Sequence, residues 1–490
     1  MKITSPKTGA SHLTPNEEIQ VRCRSALELK DKGNYEGAKD VMRPVWKRLG
    51  ERPNLTGLYP SVAAEVLLSV GILTCWIGSK GQVREAQEHA RDLITESITF
   101  YESEGDLLKV AAARVELAYC YWCEGSLNEA RVLFLEALQK LTVEGNTRAR
   151  ATLGLAIVEW SATQYGSALE ILKKNAPLFN RITNQSIKGS YHVQVAIVLR
   201  CLAKSEKRDE YLQTAITEFE TADYCFKLIR NNVFRANIKN NVGLILIDLK
   251  RFKEAHKYFG EARRLSALVR DRVQTAQIDE SRAQLLLLEK KLKEAESVAA
   301  GAVSVLERTG QQCVLSEVLI THGKALARLK KWERAQFTFQ RAIEVANHVG
   351  ALNKAGLAAL TMIEELPDLS PEILRSAYDR ASDWLAKSQS QDISQRLNAV
   401  ARKVLMSVGG EVKADKATEV LLNKPCDLQR EVLKYEGSLI KQALSKVNGS
   451  VTRAAELLNL SYQGLAYIIG TRHKNLLKER SPIRRRSRKD

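Results

Sequence analysis

The stretch KRFKEA at residues 250–255 recurs as KKLKEA at 290–295 and as KKWERA at 330–335. Each copy ends in an alanine, and these alanines follow one another at intervals of 40 residues. Related phrases occur earlier in the chain, and the full series of terminal alanines is Ala38, Ala86, Ala130, Ala168, Ala215, Ala255, Ala295 and Ala335. A period of this length is the sequence signature of a repeat architecture.

Each alanine belongs to the same apolar pattern. A large apolar residue often follows four positions later and a small residue three positions after that, as in Ala255, Phe259 and Ala262. The i, i+4, i+7 spacing places such residues on one face of a helix. Upstream, a large–small pair such as Val242-Gly243 recurs, and glycine or a basic residue precedes the alanine helix. The pattern predicts helical hairpins that bury their apolar faces only by stacking on one another.

These units resemble the tetratricopeptide repeat (TPR), although they run nearer 40 than the usual ~34 residues. Helix-forming residues dominate the composition, so we expect an all-α protein. The resemblance implies a right-handed α-solenoid of about eight units over residues 20–350, and we expect a small helix-turn-helix domain after it. We expect a flexible N-terminus at 1–19, terminal capping helices at 351–406 and a linker at 407–427.

A TPR solenoid implies a groove lined by the first helix of each unit. We expect a protein or peptide partner to bind there, while a solvated helix face is the alternative for any single residue. Counting back from the repeat alanines gives the candidate lining residues, which are Arg200, Lys204, Asn237, Asn240, Gln277, Glu280, Gln284 and Lys324.

Positive charge is concentrated near the C-terminus. The 490 residues carry a formal net charge of +18, and residues 428–490 contain 14 Lys/Arg against five Asp/Glu. A localised basic block favours a polyanionic partner, and a solvated tail is the alternative. Residues 471–490 hold nine Lys/Arg against two acids. If about six of these nine cations neutralise DNA phosphates, the logarithm of the binding constant should fall with log salt at a slope of about −5. The candidate phosphate contacts are Arg472, Lys474, Arg484, Arg485 and Arg486.

Residues 448–470 read NGSVTRAAELLNLSYQGLAYIIG and meet the demands of a helix-turn-helix. Asn448-Gly449 is expected to end one helix. Ala455 is small enough for close packing under the second helix, and Asn459 tolerates the positive φ that the turn requires. We expect the apolar anchors of the second helix to be Leu460, Leu465 and Ile468.

The segment YEGSLIKQALSKVNGSVTRAAELLNLSYQGLAYII resembles the C-terminal DNA-binding domain of the Fis family (factor for inversion stimulation), over residues 428–478. The resemblance implies a homodimer formed through residues 428–446 and a recognition helix in the major groove of double-stranded DNA. It places Thr452 and Arg453 near phosphates. The groove-facing positions carry no Lys or Arg, in contrast to the family; they are Ser461, Tyr462, Gln463, Ala466 and Tyr467. The basic residues at 471–490 are therefore expected to supply much of the affinity.

Other chemistry has little support in the sequence. There is no phosphate-binding loop, nucleophile elbow or HExxH motif, so we expect no catalytic residues, no enzyme activity and no cofactor. The Cys120–Cys123 pair has no second pair at metal-ligand spacing and is expected to be structural, without a metal. The dispersed cysteines, the absence of an apolar leader and the lack of a membrane span favour a cytoplasmic protein.

These features favour a bacterial DNA-binding transcriptional regulator whose solenoid binds a partner. The alternative is a TPR scaffold or adaptor whose C-terminal helices only dimerise.

Overall fold

The computed structural model describes residues 13–81, 83, 85–206, 208–386, 391–408 and 428–479. Within these residues the regular structure is helical and contains no β-strand, which confirms the predicted all-α class. The chain divides into two compact units, Met1–Arg402 and Lys403–Asp490.

The first unit is a series of helices joined by short turns. Their bounds are α1 (Pro15–Asp31), α2 (Tyr35–Met42), α3 (Pro60–Gly81), α4 (Ala86–Ser103), α5 (Leu107–Glu124), α6 (Leu127–Lys140), α7 (Asn146–Ser161), α8 (Tyr165–Lys174), α9 (Ala176–Arg181), α10 (Gln185–Glu206), α11 (Glu210–Leu228), α12 (Asn232–Asp248), α13 (Phe252–Leu268), α14 (Arg272–Leu288), α15 (Leu292–Glu307), α16 (Gln312–Arg328), α17 (Trp332–His348), α18 (Leu352–Glu365), α19 (Pro371–Leu385) and α20 (Gln391–Val408).

The helices pack as successive antiparallel pairs. Each second helix contacts the first helix of its own pair and the first helix of the next pair, as α13 contacts α12 and α14. All eight repeat alanines are buried, and none exposes more than 3% of its surface. Phe134, Phe219, Phe259 and Phe339, each four residues after a repeat alanine, are fully buried. The predicted α-solenoid of TPR-like hairpins is therefore confirmed.

Left-handed residues end the first helix of most pairs. Gly125 has φ 93°, and lysines take the same role in three successive pairs. Their φ values are 59° at Lys250, 61° at Lys290 and 61° at Lys330. The predicted turn position, occupied by glycine or a basic residue, is thus the residue that reverses the chain.

The helical region extends beyond the predicted solenoid at both ends. The first helix begins at Pro15, inside the segment 1–19 that was expected to be flexible. After residue 350, α18 and α19 form a further hairpin, and α20 follows within the predicted capping segment 351–406. The predicted linker 407–427 and the basic tail 479–490 lie almost entirely outside the described residues.

Helix α3 is unusually apolar. Among the residues that the structure describes, its segment Pro60–Ser79 is the one stretch long and apolar enough to cross a membrane, with a mean hydropathy of 1.8. Of that segment, 67% is buried, and α3 packs against α1, α4 and α5. A helix surrounded by others in a solenoid core has the same composition as a membrane span.

Over its described residues, the second unit contains the last residues of α20, three further helices and a short 3-10 segment. These are α21 (Leu428–Lys446), α22 (Val451–Leu457), α23 (Tyr462–Thr471) and Lys474–Glu479. Asn448 and Gly449 both have positive φ, and the Gly449 amide donates to the Leu444 carbonyl at 2.8 Å. This closes the end of α21 at the predicted position.

Candidate nucleic-acid interface and partner surface

The turn between α22 and α23 has the geometry that the sequence predicts. Ala455 is 2% exposed and packs beneath α23. Asn459 adopts φ 52°, and the amide of Leu460 donates to the Ala455 carbonyl at 2.9 Å. A small residue and a left-handed asparagine therefore let the chain reverse between the two helices.

One of the three predicted anchors is wrong. Leu465 is fully buried and Ile468 is half-buried, but Leu460 is 41% exposed. Leu460 lies in the turn, between the left-handed Asn459 and the residue that caps α23, so its side chain is directed away from the core. Ile469, four residues after Leu465 on the same helix face, is fully buried instead.

The start of α23 is fixed by a side-chain cap. The Ser461 hydroxyl accepts a hydrogen bond from the Gly464 amide at 3.0 Å, which satisfies one of the free donors of the first turn. Tyr462 is 47% exposed and Tyr467 is 67% exposed. Gln463 is also exposed, whereas Ala466 is half-buried. The predicted groove-facing residues thus form one accessible surface of α23.

The predicted phosphate contacts are only partly described. Thr452 and Arg453 are exposed in the first turn of α22, and Lys474 is exposed after α23. Arg472 is exposed and pairs with the Glu436 carboxylate at 3.2 Å. Three further predicted contacts lie outside the described residues, namely Arg484, Arg485 and Arg486.

The predicted groove residues lie on the first helices of four successive pairs, and contacts between these helices join them. Arg200 on α10 reaches Asp248 on α12 at 3.5 Å. The Gln274 amide of α14 donates to the Asn237 side chain of α12 at 2.8 Å. The Thr321 hydroxyl of α16 donates to Glu280 of α14 at 2.7 Å. Gln274 and Thr321 were missed because each lies three residues before a counted position, and Asp248 was missed because it lies eight residues after Asn240.

The remaining members of this row continue the same polar strip. Lys204 approaches Asp248 at 3.9 Å, and the Gln284 side chain donates to Glu280. Asn240 and Lys324 are half-buried on α12 and α16, and Gln277 is exposed on α14. We define the polar strip as the eight predicted groove residues together with Asp248, Gln274 and Thr321.

Burial within the polar strip changes its chemistry. It raises the pKa of Glu280 and lowers the pKa of Lys324. Among the described residues, the structure gives no hydrogen-bond partner to three buried polar atoms of the strip, which are Arg200 Nε, Asn240 Oδ1 and Gln274 Oε1. Buried polar atoms normally have partners, so the strip retains unused hydrogen-bonding capacity.

Cys120 and Cys123 form a cluster of three thiols with Cys75. Cys120 is fully buried, and Cys123 lies with its sulfur 3.9 Å from that of Cys75 on α3. Hydrogen bonding between the thiols, together with burial, raises the pKa of both Cys75 and Cys123. Raised thiol pKa values at Cys75 and Cys123 make these two groups poor nucleophiles, as in a structural cysteine. Over the described part of the chain, no group of three or more His, Cys, Asp or Glu residues could hold a metal ion.

The C-terminal helices match a known family. Residues 434–467 match the family model described as "Bacterial regulatory protein, Fis family". This range includes most of α21, all of α22 and α23 as far as Tyr467. The predicted Fis-family helix-turn-helix is therefore confirmed.

The solenoid is similar to solved TPR structures. A Signal Transduction ATPase with Numerous Domains (STAND) protein with a tetratricopeptide repeat sensor, from Pyrococcus horikoshii, aligns with a TM-score of 0.51 at 16% identity. The alignment covers 80% of this chain and 56% of that protein, so the chain spans just over half of its length. At this identity the similarity concerns the fold.

Two further structures align less closely. The apo form of the quorum sensor NprR from B. thuringiensis aligns at 13% identity with a TM-score of 0.47, covering 68% of this chain and 89% of NprR. Yeast Tom70 aligns at 13% identity with a TM-score of 0.44, covering 83% of this chain and 86% of Tom70. No curated protein sequence is significantly similar to this chain.

Proposed function

We propose that the protein is a bacterial DNA-binding transcriptional regulator. Its C-terminal domain binds double-stranded DNA as a homodimer, and its solenoid binds a protein or peptide partner. It works in the cytoplasm and acts by binding rather than by catalysis. One observation carries the proposal: the Fis-family match at residues 434–467 coincides with a capped helix α23 whose outer surface is exposed.

The exposed side chains of α23 are suited to recognising A·T base pairs in the major groove. The Gln463 amide can pair with the N6 and N7 atoms of adenine, and the rings of Tyr462 and Tyr467 can contact a thymine methyl group. Arg453 and Lys474, which are exposed beside this helix, can neutralise phosphates. In this proposal the helix selects the site and the cations supply most of the affinity.

The polar strip supports a protein or peptide partner for the solenoid. An extended peptide presents alternating N–H and C=O groups, and amide side chains can bond to both. Asn237 and Gln277 are exposed amides of the strip, so a bound chain can reach both. The charged residues at the two ends of the strip, Arg200 and Lys204 on α10 and Lys324 on α16, would then determine which ligand binds.

A scaffold role is the second candidate. Val432, Tyr435 and Leu439 form an exposed apolar stripe along α21, with 57%, 69% and 39% of their surfaces accessible. A domain that only joined two copies of the chain would need this stripe but not the exposed surface of α23.

The test compares duplex DNA binding by the full chain and by a variant with Tyr462, Gln463 and Tyr467 changed to alanine. We expect the wild type to select sites from a random duplex library, because α23 presents these side chains to the bases. The variant should retain salt-dependent binding and lose about 1–3 kcal/mol of discrimination for each base contact removed.

Tyr224→Ala provides the matched control, since this tyrosine is 62% exposed but lies on α11. Its site selection should equal that of the wild type. Failure of the wild type to bind duplex DNA at low salt would support the scaffold instead.

A further inference from the structure

A cleft lies between α21 and the 3-10 segment Lys474–Glu479, on the C-terminal unit. Its volume is about 510 Å³, which falls within the range of small-ligand sites. We call it the basic cleft, because its lining includes four cationic side chains; the lining residues that matter here are Arg430, Lys434, Gly437, Lys441, Arg472 and His473.

The sequence of α21 explains why these cations converge. Residues 430, 434, 437 and 441 follow one another at spacings of four, three and four, which places them on one face of a helix. Gly437 sits in the middle of this face. A Cβ there would lie 2.9 Å from His473 Nδ1, so the glycine lets the histidine ring pack directly on the helix.

Helix α21 therefore has three different faces. Ile440 and Leu444 are buried in the core with α22 and α23, while Val432 and Leu439 belong to the exposed apolar stripe. The third face is the basic one. A dimer contact on the apolar stripe uses different residues from those of the basic cleft.

Glu436 holds the far wall of the basic cleft in place. Its carboxylate accepts from Arg472 at 3.2 Å and pairs with His473 Nε2 at 2.8 Å. Of the residues that the structure describes as lining the cleft, none is Asp or Glu. A concave surface lined by positive charges focuses the electrostatic potential and attracts anions.

We infer that the basic cleft binds phosphate groups of the DNA backbone, outside the segment whose bases α23 contacts. This inference rests on the proposed DNA-binding function and adds a second attachment point to it. The cleft has room for a sugar–phosphate unit, and Lys434, Lys441 and Arg472 can donate to its oxygens. Because the contacts are to phosphate, they raise affinity for every sequence equally.

The experiment measures duplex binding by the full chain across a salt series. Each phosphate contact contributes about 0.9 to the slope of log K against log salt. Lys434→Gln combined with Lys441→Gln should reduce the magnitude of the slope by about 1.8 and leave site selection unchanged. Lys446→Gln is the matched control, since Lys446 is exposed on the same helix outside the cleft and should leave the slope unchanged.

Two additional measurements are needed. The first tests whether a reduced slope comes from lost charge or from altered folding, and the second tests whether the cleft binds DNA phosphates or free nucleotides. Lys434→Arg with Lys441→Arg keeps both charges and should retain the wild-type slope. AMP at constant ionic strength should not weaken duplex binding. An unchanged slope in the glutamine variant, a reduced slope in the arginine variant, or AMP competition that depends on the two lysines would each overturn the inference while leaving DNA binding itself intact. Absence of duplex binding by the wild type would instead overturn the proposed function, and the inference with it.

Discussion

Glycines on the first helices face phenylalanine rings on the second helices. A Cβ added to Gly243 on α12 would lie 2.4 Å from the ring of Phe259 on α13, and one added to Gly323 would lie 2.7 Å from Phe339. The same relation holds between Gly189 and Phe226. The absence of a side chain thus makes room for a large ring, and this pairing sets the distance between the two helices of a hairpin.

Gly243→Ala should destabilise the solenoid. The added methyl group overlaps the Phe259 ring, and such overpacking costs about 1–3 kcal/mol, which exceeds the gain of at most ~1 kcal/mol that alanine brings to a helix. Thermal or urea unfolding followed by circular dichroism would measure the shift.

Gly260→Ala is the control, because Gly260 lies on the neighbouring helix α13 and nothing would approach its Cβ within 4 Å. This substitution should stabilise the protein slightly. The steric explanation fails if Gly243→Ala is at least as stable as Gly260→Ala.

Individual residues were predictable where a local rule decides their environment. The repeat alanines and Asn459 have the burial and backbone angles that the pattern requires. The prediction that Leu460 is a buried anchor was wrong because an apolar residue next to a turn need not face the core. The Cys75–Cys123 contact joins residues 48 positions apart, and no local pattern in the sequence brings them together.

Helices were predictable as a series, but insertions between them were not. The repeat alanines Ala168 and Ala215 are separated by 47 residues instead of 40. The extra length is partly used by α9, whose Leu178 and Phe179 are buried in the adjoining core. Pro177 stands at the start of this short helix, a position that proline favours. A break in the spacing signalled an insertion, but not its conformation.

The exposed apolar stripe of α21 predicts a dimer. Val432, Tyr435 and Leu439 follow one another at spacings of three and four, which is the pattern of a helix that packs against a partner helix. Val432→Lys combined with Leu439→Lys should convert the chain from a dimer to a monomer, because pairing would then bury four unpaired charges. Sedimentation velocity would measure the change in mass.

Leu477→Lys supplies the control, since Leu477 is 43% exposed in the same unit but lies outside the stripe. That variant should remain a dimer. A wild-type chain that sediments as a monomer at micromolar concentration would contradict the prediction, as would a lysine variant that still dimerises.

At the scale of the whole solenoid, the first hairpin contacts the start of the sixth. The Asn231 side chain donates to the Asp31 carbonyl at 2.9 Å, across 200 residues of sequence. Gly33, in the turn after α1, lies so close that its Cβ would be 3.0 Å from Asn231 Oδ1. Repeat proteins usually have contacts only between neighbouring units. The repeat pattern could not predict this contact, since it depends on the small rotation accumulated over five hairpins.

Asn231→Asp should loosen the first hairpin without disturbing α12. Asn231 is fully buried and has two functions: its Nδ2 holds Asp31, while its Oδ1 caps α12 by accepting from the Phe234 amide at 3.1 Å. Aspartate keeps the cap but loses the donor, and leaving the Asp31 carbonyl without a partner costs about 1–3 kcal/mol. Amide hydrogen exchange around Gly33 should therefore accelerate roughly tenfold, while the first turn of α12 stays protected.

Asn231→Ala distinguishes the two roles, because it removes the cap and the long-range bond together. Exchange should then accelerate both around Gly33 and in the first turn of α12, whereas Asn34→Ala, which removes only the local cap of α2, should leave α12 unaffected. If Asn231→Asp leaves exchange around Gly33 unchanged, the long-range hydrogen bond contributes nothing to the stability of the first hairpin. The stability of the solenoid would then depend only on contacts between neighbouring hairpins. A conformational effect of binding in the polar strip could not reach the first hairpin through the Asn231–Asp31 contact.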